Sequence, residues 1–181
     1  MNHLLSFISK YSTRKNIVSG LIVITLVNLV VFPYFLKAPT TIDHILDIRF
    51  GFDKQIVNNT LNELGNNGRT LYFWTTLLID TPYAFFYGFI YAFILAALLK
   101  SSADKNHWQF LIMLPFFISL FDIIENLGII YFIKSYPNID DSLIKITSLS
   151  NQLKWIFAFL TTISIFLLFI IKLFSNLKKN D

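Results

Sequence analysis

Four separate stretches of this 181-residue chain are apolar over lengths that can cross a lipid bilayer as α-helices. A hydrocarbon core about 30 Å thick needs roughly 20 mostly apolar residues in helical form. The stretches that meet this length are residues 17–36, 71–99, 108–133 and 154–174. The chain is 55% hydrophobic and 14% charged, whereas soluble domains average about 45–50% apolar and about 25% charged. The sequence therefore predicts an all-α, integral membrane four-helix bundle that forms a single transmembrane domain over residues 1–181.

The basic residues favour one orientation of this bundle. The two chain ends and the short loop between the second and third stretches carry eight Lys and Arg residues: Lys10, Arg14, Lys15, Lys100, Lys105, Lys172, Lys178 and Lys179. The other seven are spread over two much longer loops. Because short segments dense in Lys and Arg stay in the cytoplasm, we expect a multi-pass protein of the cell membrane with both termini cytoplasmic.

The loop between the first and second stretches is predicted to be structured. Asp53 is suited to cap the start of a helix, and Gly65 fits the position just after its end. Between them, one apolar face is formed by Ile56, Val57, Leu61 and Leu64. We expect a short amphipathic helix on the extracytoplasmic side, lying on the membrane or folded back over the bundle.

Residues 140–153 carry a second helical pattern. Leu143, Ile146, Leu149 and Leu153 recur at helical spacing, which predicts either another short amphipathic helix or an extension of the fourth span.

Three acids lie within the apolar stretches, where lipid should exclude them. Asp80 belongs to the second stretch, and Asp122 and Glu125 to the third. An acid near the bilayer centre costs roughly 2.5–3.5 kcal/mol on insertion scales, so each needs a partner, a proton or water. Helical spacing places each acid on a polar face, the first made of Asp80, Tyr83, Tyr87 and Tyr91, the second of Pro115, Ser119, Asp122, Glu125 and Asn126.

The two faces are expected to meet at one depth. At about 1.5 Å per residue, Asp80 lies roughly 13 Å and Glu125 roughly 12 Å below the outer ends of their stretches. Asn28 in the first stretch and Lys154 at the outer end of the fourth could join them. The candidate intramembrane polar site therefore comprises Asn28, Asp80, Tyr83, Asp122, Glu125, Asn126 and Lys154.

A purely structural role for these residues is the alternative. The Asp80 carboxylate could accept backbone N–H groups freed around Pro82, and the tyrosines could be ordinary aromatic packing. The Asn28 side chain would then make a hydrogen bond between helices. Lys154 is expected to extend towards the outer headgroups rather than to pair with Asp122.

The residue types limit the chemistry of such a site. Three carboxylates suit a hard cation such as Mg²⁺ or Ca²⁺, and an Asp–Glu pair in a low dielectric can act as acid and base. His3, His44 and His107 lie outside the apolar stretches, so no zinc site is predicted. Cysteine is absent, which excludes thiolate catalysis. Neither a serine-hydrolase constellation nor a nucleotide-binding fingerprint is present, so no metal or cofactor is assigned.

Several short motifs resemble those of a group of small bacterial four-span membrane proteins. They are Leu46-Asp47-x-Arg49, Gly65-x-x-Gly68-Arg69-x-x-Tyr72, Asp80-x-Pro82, Asp122-x-x-Glu125-Asn126 and Lys154-Trp155. The resemblance implies a four-helix membrane bundle and carries no assigned activity. Asn151 and Trp155 are also similar to part of the last-helix pattern of the sterol-isomerase and sigma-2-receptor family. The bundle histidine that those isomerases use is missing here.

Three hypotheses for function follow from the acidic cluster. The first is a cavity in the extracytoplasmic half of the membrane that binds or turns over a small amphiphile or lipid. The second is a non-catalytic membrane subunit that grips a partner protein or a second copy of itself. The third is an ion- or proton-coupled transporter, which would require an oligomer. Membrane lipids are expected partners under all three, and nucleic acid is not.

Overall fold

The computed structural model describes residues 2–36, 45–100 and 108–177 of the chain. Its helices are α1 (Asn2–Tyr11), α2 (Arg14–Leu26), α3 (Phe32–Leu36), α4 (Lys54–Thr75), α5 (Thr81–Leu99), α6 (Leu114–Ser135) and α7 (Asp141–Leu177). Two π-helical turns, Val27–Val31 and Thr76–Asp80, join α2 to α3 and α4 to α5, and a 3-10 turn, Gln109–Met113, precedes α6. These ranges contain no β-strand, and the all-α prediction is confirmed.

Four helical segments are long and apolar enough to cross a membrane. They are Arg14–Phe35, Lys54–Leu99, Gln109–Ser135 and Asp141–Ser175, here called the first to fourth spans. Large apolar side chains such as Leu29, 71% exposed, and Phe159, 65% exposed, cover their outward faces. An apolar exterior of this kind is what lipid contact requires, and it fits an integral membrane protein.

The second span contacts all three of the other spans, through α5. α6 packs most closely against α7 and next against α5, whereas the first span packs against the second. Two close approaches to or from α6 occur at glycines, because a Cβ atom at Gly88 would overlap Oγ of Ser119 and one at Gly128 would overlap Oγ1 of Thr147. Small residues let membrane helices approach in this way, and they fix the register of α5 and α7 on α6.

Residues 45–64 fold back over one end of the bundle, and we call them the cap segment. Asp53 begins the helical part as predicted, since its Oδ1 accepts a hydrogen bond of 2.8 Å from the Ile56 N–H. Gly65, with φ of 60° and ψ of −174°, interrupts α4. Val57, Leu61 and Leu64 are buried in a cluster that includes residues of α6. The expected amphipathic helix is therefore present, and it packs on the bundle.

The fourth span does extend through residues 141–153, as one continuous helix from Asp141. Its predicted apolar side does not pack on the bundle, however, because Ile146 and Leu149 are 54% and 55% exposed. The buried side is mostly polar and contains Thr147, Ser148 and Asn151. The inversion has a physical reason: this part of the helix packs against the buried polar groups of α6 and of the cap segment.

Candidate binding cavity

A cavity of about 450 Å³ lies among the four spans and beneath the cap segment. Every span contributes to its wall: Asn28 from the first, Asp80 and Tyr83 from the second, Asp122 from the third, and Lys154 and Trp155 from the fourth. Both π-helical turns border it, through Asn28 and through Asp80. Such turns are frequent at functional sites, and the sequence pattern did not indicate them.

A buried ion-pair cluster closes one end of this cavity. Nζ of Lys154 lies 2.5 Å from Oε2 of Glu125 and 3.3 Å from Oδ1 of Asp122. Lys154 is only 8% exposed, so the expectation that it extends to the headgroups and does not pair with Asp122 is wrong. The reason is energetic, because two carboxylates buried without a counter-charge would be far more costly than a lysine drawn inward.

Asn151 connects the same cluster to the cap segment. Its Nδ2 donates to Oε1 of Glu125 at 2.8 Å, and its Oδ1 accepts from the Gly51 N–H at 2.7 Å. One turn earlier, Oγ of Ser148 accepts from the Phe52 N–H at 2.8 Å. Gly51 has a φ of 79°, a conformation that favours glycine. The cap segment is thus held to α7 by its own backbone.

Asp47 supplies a further carboxylate that the sequence analysis did not place in the site. Oη of Tyr72 donates to its Oδ2 at 2.5 Å, while its Oδ1 is buried without a hydrogen-bond partner among the described residues. Burial raises the pKa of the Asp47 carboxyl, and the charge of Lys154 partly opposes that rise. Because Asp47 lies in a loop, helical periodicity could not find it; the Leu46-Asp47-x-Arg49 motif was the only signal.

Asp80 differs from the other acids because no described residue pairs with its carboxylate. Its half-buried carboxylate lines the cavity, and it makes no hydrogen bond or ion pair with any described residue. It does not cap α5, so the predicted alternative that it serves the backbone around Pro82 is wrong. The hydroxyl of Thr81 instead donates to the Thr76 carbonyl at 2.8 Å.

The tyrosines of α5 form one wall of the cavity. Oη of Tyr87 donates to Oδ2 of Asp122 at 2.7 Å, and Nδ2 of Asn28 donates to Oη of Tyr83. The Tyr83 and Tyr87 ring centroids are 5.4 Å apart, and those of Tyr87 and Tyr91 are 6.0 Å apart. The stripe therefore combines aromatic packing with hydrogen bonds to the polar groups.

Two threonine hydroxyls add polar atoms that nothing in the described structure satisfies. Oγ1 of Thr75 and Oγ1 of Thr161 are buried without a hydrogen-bond partner there, and both residues line the cavity. Such groups are rare in proteins unless a ligand or water completes them. Neither threonine could be predicted as a site residue, because threonine is common in membrane helices.

The carboxylates already surround a cation, the Lys154 ammonium. Within the three described ranges, no group of three or more His, Cys, Asp or Glu side chains is arranged to hold a metal ion. The cluster is therefore built around a lysine.

Five of the seven predicted site residues line the cavity: Asn28, Asp80, Tyr83, Asp122 and Lys154. Glu125 and Asn126 are fully buried outside its lining, and neither polar atom of the Asn126 side chain has a hydrogen-bond partner in the part of the chain described. The predicted faces thus converge, although not every member reaches the cavity. No protein-family model, curated protein or solved structure matches this chain.

Proposed function

We propose that this protein binds a small amphiphile or lipid in the cavity between its spans, in the extracytoplasmic half of the membrane. The polar head of the ligand contacts Asp80 and the neighbouring hydroxyls. Its apolar part lies along Tyr91 and Ile165, farther from the cap segment. A cavity of about 450 Å³ falls within the range of small-molecule sites, about 300–1,000 Å³.

The observation that carries this proposal is the carboxylate of Asp80, for which the described part of the chain supplies no hydrogen bond or ion pair. Asp122 and Glu125 share Lys154, and Asp47 accepts from Tyr72, so these three acids have partners within the protein. Asp80 lines the cavity and has no such partner among the described residues. Since an acid in a membrane helix is costly unless it is paired, a ligand that pairs with Asp80 explains its presence.

The remaining wall chemistry supports an amphiphile over a wholly polar solute. Thr75 and Thr161 line the cavity with hydroxyls that no described residue satisfies, whereas Phe32, Ile118 and Ile165 offer apolar surface. Most binding sites for small molecules combine an apolar wall with a few polar groups that orient the ligand.

The arrangement of the spans supports entry from the bilayer. Phe32 on the first span and Thr162 on the fourth both line the cavity, yet the first span packs against the second and not closely against the fourth. The cavity is therefore least enclosed on a side that faces lipid, and a molecule dissolved in the membrane reaches it without crossing the cap segment.

The test is to identify small molecules retained by the purified protein with native mass spectrometry and solvent extraction. Wild type should carry one amphiphile enriched over bulk lipid. Ala158→Phe, which fills the cavity, should lose it. Leu127→Phe, which adds the same ring at an outward-facing position 57% exposed, should keep it. Equal retention by both variants, at matched thermal stability, would exclude the cavity as the binding site.

A further inference from the structure

The outward face of α7 carries an unbroken heptad pattern. Branched aliphatic residues recur at alternating steps of three and four along it: Ile146, Leu149, Leu153, Ile156, Leu160, Ile163, Leu167 and Ile170. We call these eight residues the α7 seam. Counting Ile146 as the first position of a heptad, three of the four first positions are Leu and three of the four fourth positions are Ile. Apolar residues with this spacing, sustained over three to four heptads, are typical of helices that pair in a left-handed coiled coil.

Most of the α7 seam lies outside the packing of its own chain, since six of its eight residues are exposed and Leu153 and Ile170 are half-buried. Ile146, Leu149 and Leu167 are all more than half exposed, at 54%, 55% and 53%. The opposite side of the same helix, marked by Lys154 and Thr161, is buried in the protein. The seam is therefore a separate surface that the four spans leave uncovered.

Lipid tails cannot cover the whole of this surface. Phe174 continues the heptad spacing beyond Ile170, and it is 65% exposed. From Ile146 to Phe174 the helix rises roughly 42 Å, and a tilt of about 20° reduces that to roughly 39 Å across the bilayer. The hydrocarbon core is only about 30 Å thick. Part of the apolar seam thus stands outside the lipid tails, where its exposure to water is unfavourable.

We propose that two copies of this chain associate through their α7 seams. Copies inserted in the same orientation present parallel α7 helices in the same register, which is the arrangement that heptad pairing needs. The contact is then self-complementary about a two-fold axis along the membrane normal. The crossing angle of about 20° that heptads favour is also the common one between membrane helices.

Charge does not oppose this association. The seam itself has no ionisable residue, and its flanks within the membrane carry Phe157, Phe159, Ser164 and Phe166. Lys154, the charged residue in the middle of α7, faces the interior of its own bundle. Pairing therefore buries no unmatched charge, and it leaves the cavity face of each copy untouched.

The natural chain contains no cysteine, so single cysteines give an unambiguous test in native membranes. Cysteines at Leu153, Ile156, Leu160 and Ile163 should form disulfide-linked dimers after mild oxidation. Cysteines at Thr162 and Phe169, exposed but on another side of α7, should give at least tenfold less. Dimer formation without the heptad periodicity, or none at the seam positions, would overturn the proposal.

A second measurement needs neither oxidant nor ligand. Native mass spectrometry in mild detergent should show a dimer for wild type and mainly monomer for Leu153→Ala/Leu160→Ala/Leu167→Ala. The matched control is Phe117→Ala/Leu120→Ala/Leu127→Ala, which removes exposed apolar side chains from the outward face of α6, and it should remain dimeric. A wild-type monomer under these conditions, together with no cross-linking in membranes, would refute pairing whether or not the cavity binds an amphiphile.

Discussion

Nζ of Lys154 and Oε2 of Glu125 lie 2.5 Å apart, and the Glu125 side chain has no exposed surface. The same ammonium group donates to the backbone carbonyl of Asp47 at 3.2 Å. One side chain of the fourth span therefore holds both the third span and the cap segment. The polar interior is an integral part of the packing, and its disruption should affect the whole bundle.

Lys154→Met should destabilise the protein by roughly 3–5 kcal/mol, because it leaves Asp122 and Glu125 buried without their counter-charge. Thermal unfolding in detergent measures the loss. Lys145→Met on the exposed side of the same helix is the control and should change stability little. Adding Glu125→Gln to Lys154→Met should restore part of the stability, since one uncompensated charge is removed. A Lys154→Met protein as stable as wild type would contradict the structural role of the pair.

Asn151→Ala should loosen the cap segment. The change leaves the Gly51 N–H and Oε1 of Glu125 without their partner, at a cost of about 1–3 kcal/mol for each group left unsatisfied. Limited trypsin digestion should then cleave after Arg49 faster than in wild type. Ser150→Ala is the control, because Oγ of Ser150 donates only to the Ile146 carbonyl within α7. Equal cleavage rates in the two variants would show that Asn151 does not hold the cap segment.

The sequence predicted well those features that follow local rules. Asp53 and Gly65 bound the helical part of the cap segment because capping depends on neighbouring residues alone. Asp80, Tyr83 and Tyr87 share one face because helical spacing fixes it. The same spacing places Asp122 on the polar face of the third span. The cavity lies where the polar faces of the second and third spans meet.

The features that the sequence did not predict depend on tertiary partners. Lys154 was expected at the headgroups because its acidic partners and its orientation could not be known from spacing. The pattern that includes Ile146 and Leu149 left open whether this stretch is a separate amphipathic helix or an extension of the fourth span, because spacing alone does not tell which side of a helix packs. In this bundle the outward face is apolar, and polar residues such as Asn151 lie inside. Asp47 reaches the cavity through the path of a loop, which periodicity does not describe.

The Asp47→Asn variant should gain stability relative to wild type as the pH rises. Burial raises the pKa of Asp47 above its ordinary value of 3.8, so the folded protein holds this proton more tightly than the unfolded chain does. The stability it contributes is present below the ordinary value and is lost as the pH rises towards the raised one. Asparagine resembles the protonated form. The stability of Asp47→Asn relative to wild type, from thermal unfolding, should therefore increase as the pH rises above about 4. A difference that stays constant or shrinks would contradict the effect of burial.

The predicted orientation can be tested by labelling with a membrane-impermeant thiol reagent in intact cells. Single cysteines at Asn59 and Asn138, both exposed near the cap-segment end of the bundle, should react. Cysteines at Asn106 and Asn176 should react only after the membrane is opened, because the density of basic residues predicts that those segments are cytoplasmic. The opposite labelling pattern would reverse the orientation and place the cavity in the cytoplasmic half.

Ligand binding by Asp80 is tested by measuring the retained ligand and the thermal stability of Asp80→Asn on the same preparation. The Asp80 carboxylate has no hydrogen bond or ion pair with the described residues, so its neutralisation should leave the fold as stable as wild type or slightly more stable. If Asp80 binds the head of the amphiphile, the purified variant should lose that molecule while keeping its unfolding temperature. A variant of unchanged stability that still carries the wild-type complement of ligand would show that Asp80 does not bind the amphiphile.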